Sequence, residues 1–333
     1  MGQAMAKHIS KTGWAELVGV VDKSAVCLQK ARDDWGLTPR QTLTDLGRAI
    51  DKLSPSIVMI NTPSQLHFSQ AMRSLRFGCD TFIAKPVASN FKQSMKLADT
   101  ADHFGKTCVV GQQMRFNRHY RAVQAFVKSG RIGSVESVQL LNSKPRHEAL
   151  NLGTMPEPAM LEMACHHFDA LLAIFPDSRP VSITATGFTP SWSPYAGHCM
   201  VNAMIELEHG IHVLYHGGFS SQADCYELRL EGSLGTLRCR GIHMSATSFE
   251  YEVAARGESF IGVDIESEVS SDGAWAIYLG EWDRYLRLGI EPVFSLRNNL
   301  PTFALLCAGM ESIKRQRKID LSIRPPHREC FCG

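Results

Sequence analysis

Short apolar runs and amphipathic stretches alternate along the first third of the chain. Residues 16–21, ending Val18-Gly19-Val20-Val21, form an apolar run that closes on Asp22, the pattern of a strand buried on both faces. Similar runs predict strands over 56–60, 81–83 and 107–110. The stretches between them have helical periodicity over 25–35, 67–76 and 90–104, closed in turn by Gly36, Phe77-Gly78 and Gly105. Strands alternating with helices of this length predict a parallel sheet with right-handed crossovers. In such sheets ligands bind beyond the carboxyl ends of the strands. That rule sets Asp22, Asn61-Thr62-Pro63, Lys85 and Gln112-Gln113 along one crevice.

The pattern changes after Gln113. A helix runs to about Val127, a turn follows at 129–133, and 134–141 alternates with period two. The polar, breaker-rich segment 141–158 is read as a long loop. Alternation returns at 201–207, 211–215 and 226–231, with short turns at Glu208-His209-Gly210 and at 232–235. Strands joined by short turns predict an antiparallel sheet. Helical stretches at 274–288 and 299–317 close the chain. The fold class is therefore α/β. A Rossmann-type parallel-sheet domain over 1–113 is followed, over 114–333, by an α+β domain with a large, mostly antiparallel, open-faced sheet. The second domain is expected to carry substrate binding and self-association, as a dimer or tetramer, because a broad sheet with one apolar face invites pairing.

The N-terminal segment lacks part of what a dinucleotide fold needs, namely a first strand and then G-x-G-x-x-G opening a helix. Here Met1-Gly2-Gln3-Ala4-Met5-Ala6 corresponds to the last glycine, Gly2, and its helix. Asp22 follows at the spacing expected of the acid that takes the ribose hydroxyls. The missing strand would be central, and an unpaired central edge is costly. The expected start of the fold therefore lies upstream of Met1.

Composition narrows the classes. At 333 residues, 44% hydrophobic and 20% charged, the chain has room for two domains with real cores. A net charge of +2 offers no broad attraction for nucleic acid or an anionic membrane. No apolar run approaches the roughly 18–20 residues of a membrane span, and no signal-peptide order opens the chain. Ten cysteines are scattered singly, which fits a reducing cytoplasm, with Cys108 and Cys307 as buried thiols. Cys330 and Cys332 follow Pro325-Pro326 in a tail read as disordered, and two thiols alone do not complete a metal site. The basic run Lys314–Lys318 is read as the cationic end of a helix. No metal is expected.

The densest polar cluster is Leu161-Glu162-Met163-Ala164-Cys165-His166-His167-Phe168-Asp169. In a helix, Glu162, His166 and Asp169 fall at i, i+4 and i+7, on one face, which suits a cleft wall better than a core. Lys85, before a proline at the end of a buried strand, has an extended and rigid setting. Burial beside a cationic nicotinamide would disfavour its charged form and make it a usable acid or base.

Five motifs in order resemble the Gfo/Idh/MocA oxidoreductase family. Asn61-Thr62-Pro63-Ser64-Gln65-Leu66-His67 is similar to its T-P-x-x-x-H segment, and Ile83-Ala84-Lys85-Pro86 to its E-K-P motif. Gln113-Met114-Arg115-Phe116 resembles the R-F crossing into the second domain, and Gly130-Arg131-Ile132-Gly133 its G-x-I-G. Glu162 to Asp169 is similar to the D-x-G-x-H-x-x-D helix. Trp192-Ser193-Pro194-Tyr195 and His216-Gly217-Gly218 point to a branch with E-M-x-x-H-H-F-D. Three features depart from the family pattern: the truncated fingerprint, Ala84 for glutamate and Glu162 for aspartate.

The resemblance implies hydride transfer between NAD or NADP and a hydroxyl or keto group of a sugar, inositol or related polyol. It implies Lys85, His166 and Glu162 as catalytic residues, with Lys85 or His166 taking the hydroxyl proton and Glu162 orienting His166. Gly2, Asp22, Thr62, Pro63, Ser64, His67, Ala84, Lys85 and Gln113 would contact the cofactor. Arg115, Tyr120, His167 and Asp169 would contact substrate. Asp22 favours NAD, because a carboxylate repels a 2′-phosphate. Two rival readings share the fold: a dinucleotide-sensing regulator without catalysis, favoured by Ala84, and an NAD-using glycosidase or lyase that oxidises its substrate transiently.

Overall fold

The computed structural model describes residues 2–149 and 152–322. Cys330, Cys332 and the Pro325-Pro326 segment lie outside the described residues. By its contacts the chain divides into two compact units. The first comprises the chain to Gln112 together with Trp275–Leu300; the second comprises Gln113–Ala274 and the described chain from Pro301 on.

The first unit opens with α1 (Gly2–Ile9), β1 (Val20–Val21), α2 (Ala25–Trp35), β2 (Thr42–Leu43) and α3 (Leu46–Leu53). It continues with β3 (Ile57–Ile60), α4 (His67–Arg76), β4 (Asp80–Ile83), α5 (Phe91–His103) and β5 (Cys108–Val110). Side-chain caps fix three helix starts: Ser24 accepts from the Cys27 amide, Asp45 from Arg48 and Asn90 from Gln93. β3, β4 and β5 pair in parallel, Ile60 opposite Ile83 and Ile83 opposite Val110. Leu75, Ile83, Leu97 and Val109 have no exposed surface and form the core beside this sheet. β1 and β2 form a separate parallel pair. β1 holds only the last two residues of the predicted strand, because the ladder with β2 begins at Val20 opposite Thr42. β2 and α3 escape the periodicity reading because they span two and eight residues.

The sequence reading gave 275–300 to the second domain, whereas its contacts belong to the first unit. α8 (Ala274–Leu288) supplies the reason. The buried Tyr278 donates to the Val110 carbonyl at 2.7 Å and stacks on Phe294 at 3.8 Å, and Trp282 packs against Phe82 at 6.1 Å. These aromatics bury the end of β5, and no sequence period announces so distant a return.

The second unit holds α6 (Arg118–Lys128), β6 (Val135–Pro145), α7 (Cys165–Ile174), β7 (Pro180–Phe188), β8 (Met200–Leu207), β9 (Ile211–Gly218) and β10 (Ser220–Gly232). It closes with β11 (Gly235–Gly241), β12 (Glu250–Ala255), β13 (Ile261–Gly262), the later part of α9 (Leu296–Arg315) and β14 (Ile319–Asp320). The described strands form one sheet ordered β13-β12-β11-β10-β6-β9-β8-β7-β14, antiparallel except for the β6–β9 pair. One face is packed: Val138, Leu140, Val213, Tyr215, Ala203, Ile205 and Leu228 are buried, and Phe168 of α7 meets Tyr215 at 5.2 Å. The other face leaves Met204 and Leu214 exposed at 63% and 53%. The fold expected from the sequence is thus observed, a Rossmann-type parallel sheet and a large, mostly antiparallel open-faced sheet.

One boundary differs from the expectation. The segment read as a loop from 141 begins as strand, because β6 runs to Pro145 with Ser143 paired to both Cys225 and Gly218. Its polar residues are satisfied inside, Asn142 bonding the Met163 sulfur at 3.4 Å and the Met244 amide at 3.1 Å. The basic run does end α9 as expected: Arg315 pairs with Glu311, and Lys318 reaches Glu206 at 3.1 Å. Cys108 and Cys307 are buried free thiols, and burial pushes the Cys108 thiol up.

Candidate functional site

In the first unit the strand ends bring the expected residues together. The Ala84 amide extends the ladder by bonding the Ile60 carbonyl at 2.9 Å, and Gly111 bonds the Ile83 carbonyl at 2.8 Å. A Cβ on Gly111 would stand 2.8 Å from Phe82 and 3.4 Å from the Ala84 Cα, so only glycine permits this approach. Lys85 follows, half-buried, with a cis bond to Pro86. His67, 1% exposed, ties the loops: its Nε2 lies 2.8 Å from the Thr62 carbonyl and its Nδ1 2.7 Å from the Pro86 carbonyl. A neutral imidazole has one N–H and satisfies one carbonyl at a time. Thr62 also donates to Gln70 at 2.7 Å. His67, expected to touch the cofactor, is buried and bridges the Thr62 and Lys85–Pro86 loops. Pro63 and Ser64 open the turn into α4, with Pro63 exposed.

Asp22 ends β1 and accepts from the Ser24 amide at 2.8 Å, which fixes its carboxylate at the start of α2. Gly2 opens α1, and a Cβ there would meet Asn61 at 3.9 Å. The Asn61 Oδ1 atom is buried without a hydrogen-bond partner among the described residues. An orphaned acceptor beside a helix N-terminus and a half-buried carboxylate at the next strand end match a dinucleotide, which presents hydroxyls and an anionic pyrophosphate. These residues therefore fit a nicotinamide dinucleotide. Asn61 follows β3 directly, so the strand-end rule that points to Lys85 also covers it.

In the second unit the polar helix is broken in phase. Met160–Ala164 forms a π-helical turn before α7, a geometry common at functional sites. Glu162, in the π turn, and His166, in the first turn of α7, are half-buried, whereas Asp169 has no exposed surface. The expected single face is thus split. Asp169 receives Arg115 Nε at 2.8 Å and Nη2 at 2.6 Å, and Thr302 at 3.3 Å. Arg115, in the turn Gln113–Phe116, is itself only 9% exposed.

The four residues expected to contact substrate are all buried. Arg115 and Asp169 hold one another in a bidentate pair. Tyr120 takes a hydrogen bond from the Tyr226 hydroxyl at 3.2 Å, beside His119, which lies 2.7 Å from Tyr226 and 3.0 Å from Tyr251. His167 bonds the Tyr215 hydroxyl through Nδ1 at 2.9 Å. Burial lowers the pKa of His119 to about 3, and burial with the nearby Lys144 charge lowers His167 to about 3. Both rings are neutral frame elements, not proton carriers near neutrality. Gln113, expected at the cofactor, lies half-buried in the second unit. Among the described residues no cluster of three His, Cys, Asp or Glu side chains is arranged to hold a metal ion, and no helix is long and apolar enough to cross a membrane.

With that geometry in view, residues 1–112 match the model for "Oxidoreductase family, NAD-binding Rossmann fold" and residues 120–238 the model for "GFO/IDH/MocA C-terminal domain". An uncharacterized protein of Sinorhizobium fredii is 26% identical over 321 residues, covering 91% of this chain and 86% of that protein. The aldose-aldose oxidoreductase of Caulobacter crescentus, solved with glycerol, shares the fold with a TM-score of 0.83 at 16% identity, covering 96% of each chain. An inositol dehydrogenase homolog from Azotobacter vinelandii, solved with NADH and myo-inositol, gives a TM-score of 0.78 at 14% identity over 95% of this chain and 93% of that one.

Proposed function

The chain belongs to the GFO/IDH/MocA oxidoreductase family, and from that premise we propose that it moves hydride between NAD and a hydroxyl or keto carbon of a sugar, inositol or related polyol. The observation that carries this reading is the fixed setting of Lys85. It stands at the end of β4, next to the Gly111–Ala84 approach and clamped through Pro86 by His67, in an NAD-binding Rossmann fold. The aldose-aldose oxidoreductase and the myo-inositol complex of the neighbouring proteins support the substrate class.

Bound nicotinamide supplies the hydride acceptor. Gly2 at the start of α1 and Asn61 would hold the dinucleotide's polar centre, Asp22 its ribose hydroxyls, with a carboxylate favouring NAD over NADP. Thr62, Pro63, Ser64, Ala84 and Gln113 complete the candidate contacts, with Gly111 letting its strand approach the Ala84 backbone. Lys85 or His166 takes the proton of the substrate hydroxyl as its carbon gives up hydride, and the C–O bond becomes a carbonyl. Glu162 orients His166, and a carboxylate one methylene longer than aspartate suits the altered phase of the π turn. Self-association through the sheet face bearing Met204 and Leu214 belongs to the same reading.

The experiment is a panel of sugars and inositols incubated with NAD, following net NADH formation. Steady NADH production with at least one polyol is the expected result. NAD binding without net NADH would favour transient oxidation or sensing instead, and absence of dinucleotide binding would end the dehydrogenase reading.

A further inference from the structure

β6 carries Val138, Leu140 and Asn142 on its packed face, each buried. Period-two alternation continues that face to Lys144, one step beyond Asn142. Asn142 is anchored to Met163 of the π turn at 3.4 Å, and Lys144, at the end of the same face, acts by its charge on His167 of α7. β10 bulges opposite this point, its register with β6 shifting between Ser220 and Cys225, and the chain beyond β11 returns there through the Met244 amide.

The groups around Lys144 do not neutralise it. Among the described residues its ammonium makes neither a hydrogen bond nor an ion pair, although the side chain is half-buried. Arg146, two residues on, stacks on Phe219 at 4.1 Å, again without a carboxylate partner. Asp224 is the nearby acid, and its charge acts on Lys144 without contact. His167 and His243 also feel the lysine charge, and burial lowers the proton affinity of both rings, leaving them neutral. The fully buried His167 keeps Nε2 without a partner. Lys144 thus holds a half-buried positive charge with no carboxylate in contact, and its charge acts on the ring whose Nε2 has no partner. A charge so placed is costly until it is paired.

We propose that Lys144, with Arg146 beside it, forms an anion subsite for a carboxylate carried by the substrate, so that the preferred substrate is a sugar acid rather than a neutral sugar. The inference rests on the carbohydrate oxidoreductase reading above. The one half-buried ammonium matches a monoanion, and the Asp224 carboxylate whose charge acts on it disfavours the second charge of a phosphate ester. An ammonium–carboxylate contact in such a setting is charge-assisted and stronger than a neutral hydrogen bond.

The test is calorimetric titration of the NADH-loaded protein with D-glucuronate, D-glucose and D-glucose 6-phosphate at fixed ionic strength. Expected is a Kd for glucuronate lower than that for glucose by roughly tenfold or more, as one charge-assisted contact gives. Lys144→Met should erase that difference and Lys144→Arg should preserve most of it, with melting curves confirming that both variants fold. Equal affinities in the unmodified protein, or tighter binding of the phosphate ester, would overturn the subsite while leaving the carbohydrate reading intact. Failure of all three to bind to a protein that does bind NADH removes the carbohydrate reading, and the subsite with it.

Discussion

In the first unit the polar groups at the strand ends bind loop backbone, and in the second they bind one another. His67 reaches two carbonyls and Asp22 an amide, so the Lys85 and Thr62 loops are held by contacts to backbone. Arg115 with Asp169, Tyr120 with Tyr226 and His119, and His167 with Tyr215 instead form three buried side-chain clusters. The difference separates two meanings of a motif. In the first unit the motif residues shape a cradle for a ligand common to many proteins. In the second, several of them are held in buried pairs, whereas Glu162 and His166 are half-buried.

The comparison breaks most severely at the Arg115–Asp169 pair. Asp169→Ala leaves a buried guanidinium without its carboxylate and should cost about 3–5 kcal/mol in denaturant unfolding, whereas a substrate contact at the surface would cost little. Next comes pH. For His119 and His167 the folded pKa of about 3 lies below the unfolded value of 6.5, so the unfolded chain binds more protons between those limits. Their contribution to stability is therefore intact above about pH 6.5 and is lost as pH falls toward 3, by up to about 1.4 kcal/mol per pH unit for each ring. Chemical denaturation across that range, with His119→Gln flattening the slope, checks it.

A smaller effect sharpens the first-unit side. His67→Leu removes the one N–H that the Thr62 and Pro86 carbonyls share and should cost roughly 1–3 kcal/mol, while weakening NADH binding in a fluorescence titration. The smallest expected effect is a control. Arg131→Ala breaks the exposed pair with Glu268 and should shift unfolding by less than about 1 kcal/mol.

Legibility in the sequence follows the same division. Strands 3 to 5 and helices α2, α4 and α5 were readable because each is a local run with a period and a stop signal. The motif order gave the family, and the strand-end rule gave Lys85 and its neighbours. The fate of Arg115 and Asp169 was not readable, because residues 54 apart in the chain meet only after folding. The π turn was hidden because an extra residue per turn leaves no trace in composition, and it puts Glu162 out of helical phase with His166 and Asp169, which share the regular helix α7. Lys144 was missed where alternation met polar residues: Asn142 and Ser143 look like loop and are buried strand.

The most direct test of the account compares the unmodified protein with Lys85→Ala in NADH formation from its best polyol, alongside the NADH Kd of each. The account predicts a loss of kcat of roughly 10²–10⁴-fold, as removal of a general acid–base group gives, with the dinucleotide still bound. Unchanged kcat in Lys85→Ala, with NADH bound as tightly as before, would contradict it.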